Sequence, residues 1–263
     1  MQREALNLFS PGLFILFEIA LILCMVTIVF AITRVLFHKY FAEKDHKFLS
    51  LFLGIVSASY GFILGFIIIS LWQILVQSKS IVAQEASHLS LLTQDSFAFP
   101  LAIQNELLHG IGQYIRHVIN DEWVKMSLGI SSSLVQDDLN NLYHTIQSYM
   151  PKNTAESWFY NDMITHLNGI VENRTLRLNQ INSMLISPIR FVMVFGLMLI
   201  TFFFSLLKSK TETIHLTSIL VVTSIFAFNV GLALILDYPF ADNGLITTQP
   251  YTEGILSRFN TAP

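Results

Sequence analysis

Charge is scarce in this chain: only 13% of its 263 residues are Asp, Glu, Lys or Arg, where a water-soluble domain carries about a quarter. Cysteine is nearly absent. The single Cys24 rules out an intramolecular disulfide, no Cys/His spacing suits zinc, and the thiol reads as a small apolar packing residue. There is no basic excess either; the formal net charge is -3, which gives nucleic acid no electrostatic footprint. Strand-like alternation, a glycine-rich phosphate loop and low-complexity tracts are all missing. Ser131-Ser132-Ser133 lacks the context of a nucleophile, the eight histidines are scattered, and no cofactor motif appears. The reading is therefore of a protein that is not an enzyme.

What is present is hydrophobic length. The chain is 53% hydrophobic, and the apolar residues concentrate in four runs: Leu13–Leu36, Phe48–Val76, Ile189–Leu207 and Leu216–Leu236. A helix rises about 1.5 Å per residue, so about 20 residues cross the ~30 Å hydrocarbon layer. Each run meets that length. The first is too long for a cleaved signal peptide and lacks a small-x-small cleavage site, so it is expected to remain as a span. The fold class expected is all-α: a polytopic membrane protein with four transmembrane helices and a central extramembrane helical domain, residues 77–187, followed by a tail, residues 237–263.

The second run has no breaker at its end. Gln77, Ser78 and Lys79 make it polar, and one helix is predicted from about Leu49 to about Leu92. Pro100 opens a helix predicted to run to Leu128, with Gly129 as its stop. Ser133 with Gln136, and Asn153 with Glu156, have capping-box spacing. Ser187-Pro188 breaks the chain before the third run.

Four spans put the central domain and both termini on one side. The short loops on the other side carry Arg34, Lys39, Lys44, Lys47, Lys208 and Lys210. The positive-inside rule assigns those loops to the cytoplasm and the helical domain to the outside.

Several side chains stand out. Gly54, Ala58, Gly61 and Gly65 share a helix face, and small residues let helices approach closely in lipid. Phe62, Phe66 and Ile69 form a neighbouring stripe, which serves either for lipid or helix contact or as an apolar constriction in a ring of subunits. Glu18 and Arg190 are charges within the membrane, and a buried carboxylate there needs a partner. A Glu18–Arg190 pair is the first expectation; an ion-attracting ring near a pore mouth and interfacial snorkelling are the alternatives. Asn229 is expected to hydrogen-bond a neighbouring helix, with an ion contact as the alternative. Glu85, Asp121, Glu122, Arg174 and Arg177 are expected to form a structural ion-pair network. Glu85 and His88 have the i, i+3 spacing of bundle metal sites, but no set of further ligands is evident and no metal is assigned. Asp237 and Asp242 flank Pro239-Phe240, either as a capped turn or as a candidate cation site.

The order of these features resembles the bestrophin-like family of bacterial membrane proteins. The residues that carry the likeness are Tyr60-Gly61-Phe62-Ile63-Leu64-Gly65-Phe66, then Glu85-Ala86 with Leu89 and Leu92, and Tyr114, Val118 and Asp121-Glu122-Trp123. Arg174, Arg177-Leu178 and, after the last span, Leu236-Asp237-Tyr238-Pro239-Phe240 complete it. The family is distantly similar to the bestrophins, pentameric ion channels with four membrane helices per subunit and an apolar neck on the second. The resemblance implies a homo-oligomeric, pentameric ion channel in the bacterial inner membrane. Its partners would be the lipid bilayer, further copies of the chain and inorganic ions. The alternative is a non-conducting oligomeric scaffold or sensor whose helical domain binds a partner or ligand. Two points depart from the bestrophin pattern. Phe240 is followed by Ala241, Asp242, Asn243 and Gly244 rather than an acid cluster, so calcium gating is not implied. Bestrophin orientation would also put the helical domain in the cytoplasm, opposite to the charge pattern.

Overall fold

The computed structural model describes residues 7, 11–37, 46–207 and 211–259. Among these, secondary structure is helical, with no strand. The α-helices are α1 (Pro11–Phe37), α2 (His46–Asp95), α3 (Leu101–His117), α4 (Trp123–Leu128), α5 (Ser133–Ser148), α6 (Thr154–Asn179), α7 (Ser187–Leu206) and α8 (Glu212–Leu236). Four of them, α1, α2, α7 and α8, are long and apolar enough to cross a membrane. The loop cations Lys39, Lys44, Lys208 and Lys210, and the side chains of Arg34 and Lys47, lie outside the described residues.

The chain divides into two compact units. The membrane unit holds α1, the first half of α2 to Gln73, α7 and α8. In it α1 packs along α7 and α8, which also pack on each other. Tyr60 joins α2 to α7: its hydroxyl donates to the Met193 carbonyl, 2.5 Å away. Gly196 makes this approach possible, because a Cβ there would lie 2.5 Å from Tyr60 Cε2. A phenol surrounded by hydrocarbon needs such an acceptor.

The other unit contains the second half of α2 from Ile74, helices α3 to α6, and the tail from Tyr238. Its core is built from apolar faces at helical spacing, such as Leu107, Ile111, Tyr114 and Ile115 of α3, all at 0% exposure. The tail belongs to this core: Tyr251 and Leu256 are fully buried. The ring of Phe240 meets Trp123 edge-on at 5.9 Å.

Two local features differ from the sequence reading. The helix opened by Pro100 is not uniform; a π-helical turn, Val118–Glu122, separates α3 from α4. Hydrophobic periodicity does not register one extra residue in a turn, although that residue rotates everything after it by about 100°. Gly129 does end α4, at φ 85°, where glycine has no steric penalty. The cap of α5 is Ser132, whose hydroxyl accepts from Val135 N–H, so the Ser133–Gln136 box is displaced by one residue. At α6, Asn153 Oδ1 accepts from Glu156 N–H at 2.9 Å. The Glu156 carboxylate accepts in turn from Lys152 N–H at 2.8 Å.

Candidate functional site

Helix α2 carries the features of interest, and its two faces differ. One stripe is packed inside the subunit: Leu53, Tyr60, Leu64, Leu71 and Leu75, continuing through Ser78, Val82, Glu85, Leu89 and Leu92. At 100° per residue, Phe62, Phe66 and Ile69 fall on the opposite side. They are 69%, 55% and 56% exposed. Phe62 and Phe66 stack edge to face, ring centres 4.7 Å apart. Further along the same side the exposed residues become uncharged and polar: Gln73, Gln77, Ser80 and Gln84.

The small-residue stripe lies beside this face. Close packing within one subunit is not what the structure shows for most of it. Gly54 and Gly65 have open space where a Cβ would sit, and only Gly61 meets a neighbour, Phe226 Cε1 at 3.6 Å. Ala58 is exposed. Gly54, Ala58 and Gly65 are thus open beside the aromatic stripe among the described residues.

On its packed face α2 enters a buried charge network. Arg177 from α6 is bidentate to Glu85: Nε donates to Oε2 at 2.9 Å and Nη2 to Oε1 at 3.0 Å. The same Nη2 donates to Glu122 Oε1 at 2.9 Å. Glu122 also takes Arg174, with Nη2 to Oε2 at 2.6 Å. The Tyr114 hydroxyl donates to Glu85 Oε1 at 2.7 Å. Glu85, Glu122 and Arg177 are completely buried, and Arg174 is 6% exposed.

Two carboxylates and two guanidiniums cancel in charge, and nearly every donor has an acceptor, which is the condition for holding ions in a low-dielectric core. Burial opposes the charge of Arg177, but Glu85 first and then its other neighbours outweigh it and hold the guanidinium pKa above its usual range. Burial, reinforced by the Glu85 carboxylate, pushes the Tyr114 phenol well up. This buried quartet clamps α2, the π turn and α6 together.

The π turn sorts the two adjacent acids. Glu122 points into the clamp. Asp121 stands apart from it, bound to Lys125 Nζ at 2.8 Å and to the Ser132 hydroxyl. Those two partners lower the Asp121 pKa.

The charges in the membrane unit take different partners from those expected. Arg190 Nη2 donates to Asp237 Oδ2 and to the Ser183 hydroxyl, so its carboxylate is Asp237 where the sequence pointed to Glu18. Glu18 instead lines an apolar cavity of about 140 Å³, beside Ile22, Met25, Leu197, Thr201 and Leu234. Asp237 is fully buried and also accepts from Leu185 N–H at 2.6 Å. This ties the end of α8 to the segment that opens α7. Both Asp237 oxygens are engaged by partners on the distant Ser183–Arg190 segment, not by donors of its own turn. Asp242 is exposed, and its own N–H donates to Asn7 Oδ1. Asn229 donates to Ile225 O one turn back in its own helix, not to a neighbour. Cys24 is exposed on α1 rather than packed.

Glu85 and His88 do not converge. The Glu85 oxygens belong to Arg177 and Tyr114, while His88 faces His166. That imidazole pair escaped the sequence reading, because its members are 78 positions apart and neither stands in a motif.

The four apolar helices define a polytopic membrane protein of all-helical class. A family model described as the bestrophin-like domain matches residues 19–251, and the chain belongs to the bestrophin-like family, which suggests a channel-like membrane protein. No curated protein and no solved structure matches it.

Proposed function

We propose that the chain is the subunit of a homo-oligomeric ion channel, a ring of about five copies by family resemblance, in which α2 lines the pore. One observation carries this reading: the side of α2 opposite its packed stripe presents Phe62, Phe66 and Ile69 outward and then Gln73, Gln77, Ser80 and Gln84. Repeated around an axis, the aromatic level makes an apolar constriction that closes by losing its water, and the amide and hydroxyl levels keep an ion hydrated beside it. The free strip at Gly54, Ala58 and Gly65 suits close approach by a neighbouring copy. Asp237 and Arg190 hold the membrane unit together and are not ion ligands in this account. The membrane is the bacterial inner membrane by the same resemblance. The net acidity of the extramembrane domain gives a weak preference for cations.

The test is ion flux into liposomes that carry verified oligomers. Wild-type protein should pass ions, and Phe66→Ala should raise the leak several-fold because the constriction widens. Silent vesicles for wild type and variant alike would favour a non-conducting scaffold or sensor.

A further inference from the structure

Beyond the aromatic face, α2 and α6 bring two imidazoles together. His88 Nδ1 and His166 Nδ1 are 3.3 Å apart, with ring centres 5.5 Å apart and planes inclined at 44°. Two nitrogens on one tetrahedral metal, each bonded at ~2.0–2.1 Å, are separated by ~3.3–3.4 Å. The observed spacing matches, and it is also the spacing of the Nδ1–H···Nδ1 hydrogen bond that the two rings share without a metal.

The tautomers that a metal would require have a buried carboxylate beside one ring. A metal takes the Nδ1 lone pairs, which leaves the protons on Nε2. Asp95 Oδ2 is buried, has no hydrogen-bond partner among the described residues, and lies 3.6 Å from His166 Nε2. A small approach would let this carboxylate accept a hydrogen bond from Nε2–H when the ring carries a metal, an arrangement that orients metal-binding histidines and raises their basicity.

The backbone is shaped to admit the pair. Gly169, less than one turn beyond His166 on α6, is where the His88 ring crosses. A Cβ at Gly169 would lie 2.6 Å from His88 Cε1 and Nε2. The rings remain reachable from water, with the His166 side chain 19% exposed. The carboxylates of Asp162 and Glu172 on the same helix add negative potential near the pair.

We propose that His88 and His166, oriented by Asp95, bind a divalent transition-metal ion of the nitrogen-preferring kind, such as zinc, cobalt or nickel, with water in the remaining positions. The ion would bridge α2 and α6 a short way along from the Glu85–Arg177 clamp. This assignment is independent of whether the protein conducts.

The experiment uses the full-length protein in detergent, free of any histidine tag and stripped with chelator. Zn²⁺ is titrated by calorimetry and Co²⁺ by its visible absorption. The expected result is saturable binding of one ion per subunit with a cobalt spectrum of nitrogen–oxygen ligation. His88→Ala and His166→Ala should each weaken binding at least tenfold, and Asp95→Asn about tenfold. No saturable binding by the wild-type protein overturns the proposal, whatever the variants do. So does binding that persists unchanged in both histidine variants with oligomer and helix content intact.

Discussion

Arg177 shows most clearly how single residues organise the extramembrane unit. It has no exposed surface, and two carboxylates share its guanidinium while Trp123 lies beneath it at 5.8 Å. Removing one member of a buried ion pair leaves the other charged and unpaired, at a cost of about 3–5 kcal/mol. Arg177→Met is therefore expected to destabilise this unit by about that amount in chemical unfolding. Adding Glu85→Met should restore part of the loss, because the orphaned carboxylate is gone. A double variant no more stable than Arg177→Met would contradict the pairing. The types of residue in this network were legible in the sequence, because acids and arginines in an otherwise apolar pattern need one another. The pairing within it was legible less fully: Glu85 and Glu122 do meet Arg177 and Arg174, but Asp121 does not. The π turn decides that Glu122 rather than Asp121 faces the arginines, and the tertiary position of Asp237 decides that Arg190 takes it instead of Glu18.

At the scale of the element, α2 was the most readable part of the chain. Its apolar run passes into a polar amphipathic one with no glycine or proline between, so a single helix of 50 residues follows from periodicity and the absence of breakers. The role of its small residues was harder to see, because spacing does not distinguish a packed glycine from one facing open space. The start of α6 was legible for a local reason: Asn153 and Glu156 satisfy each other across three residues.

That cap makes a pH prediction. Glu156 has its pKa lowered from the ordinary 4.5, first by the Lys152 N–H and then by the Tyr149 hydroxyl. A carboxylate lowered on folding stabilises the fold above its unfolded pKa, and the benefit disappears as pH falls through the folded value. Thermal melts of the wild type should therefore lose stability as pH drops below 4.5, the ordinary value, and Glu156→Gln should show a shallower decline over the same range. Parallel curves for the two proteins would remove the cap from the account.

For the whole molecule, four membrane helices and a helical unit were legible because hydrocarbon imposes a length on every span. Assembly is the level that one chain leaves open, and it decides function. An aromatic face that is lipid-facing in a monomer becomes a constriction only when copies surround an axis. The most direct measurement is electron microscopy of the assembled particle in lipid. The account predicts a symmetric ring with an axial opening, walled by α2 and narrowest at Phe62, Phe66 and Ile69. A particle solid along its axis, or one with those side chains turned outward against acyl chains, would contradict it.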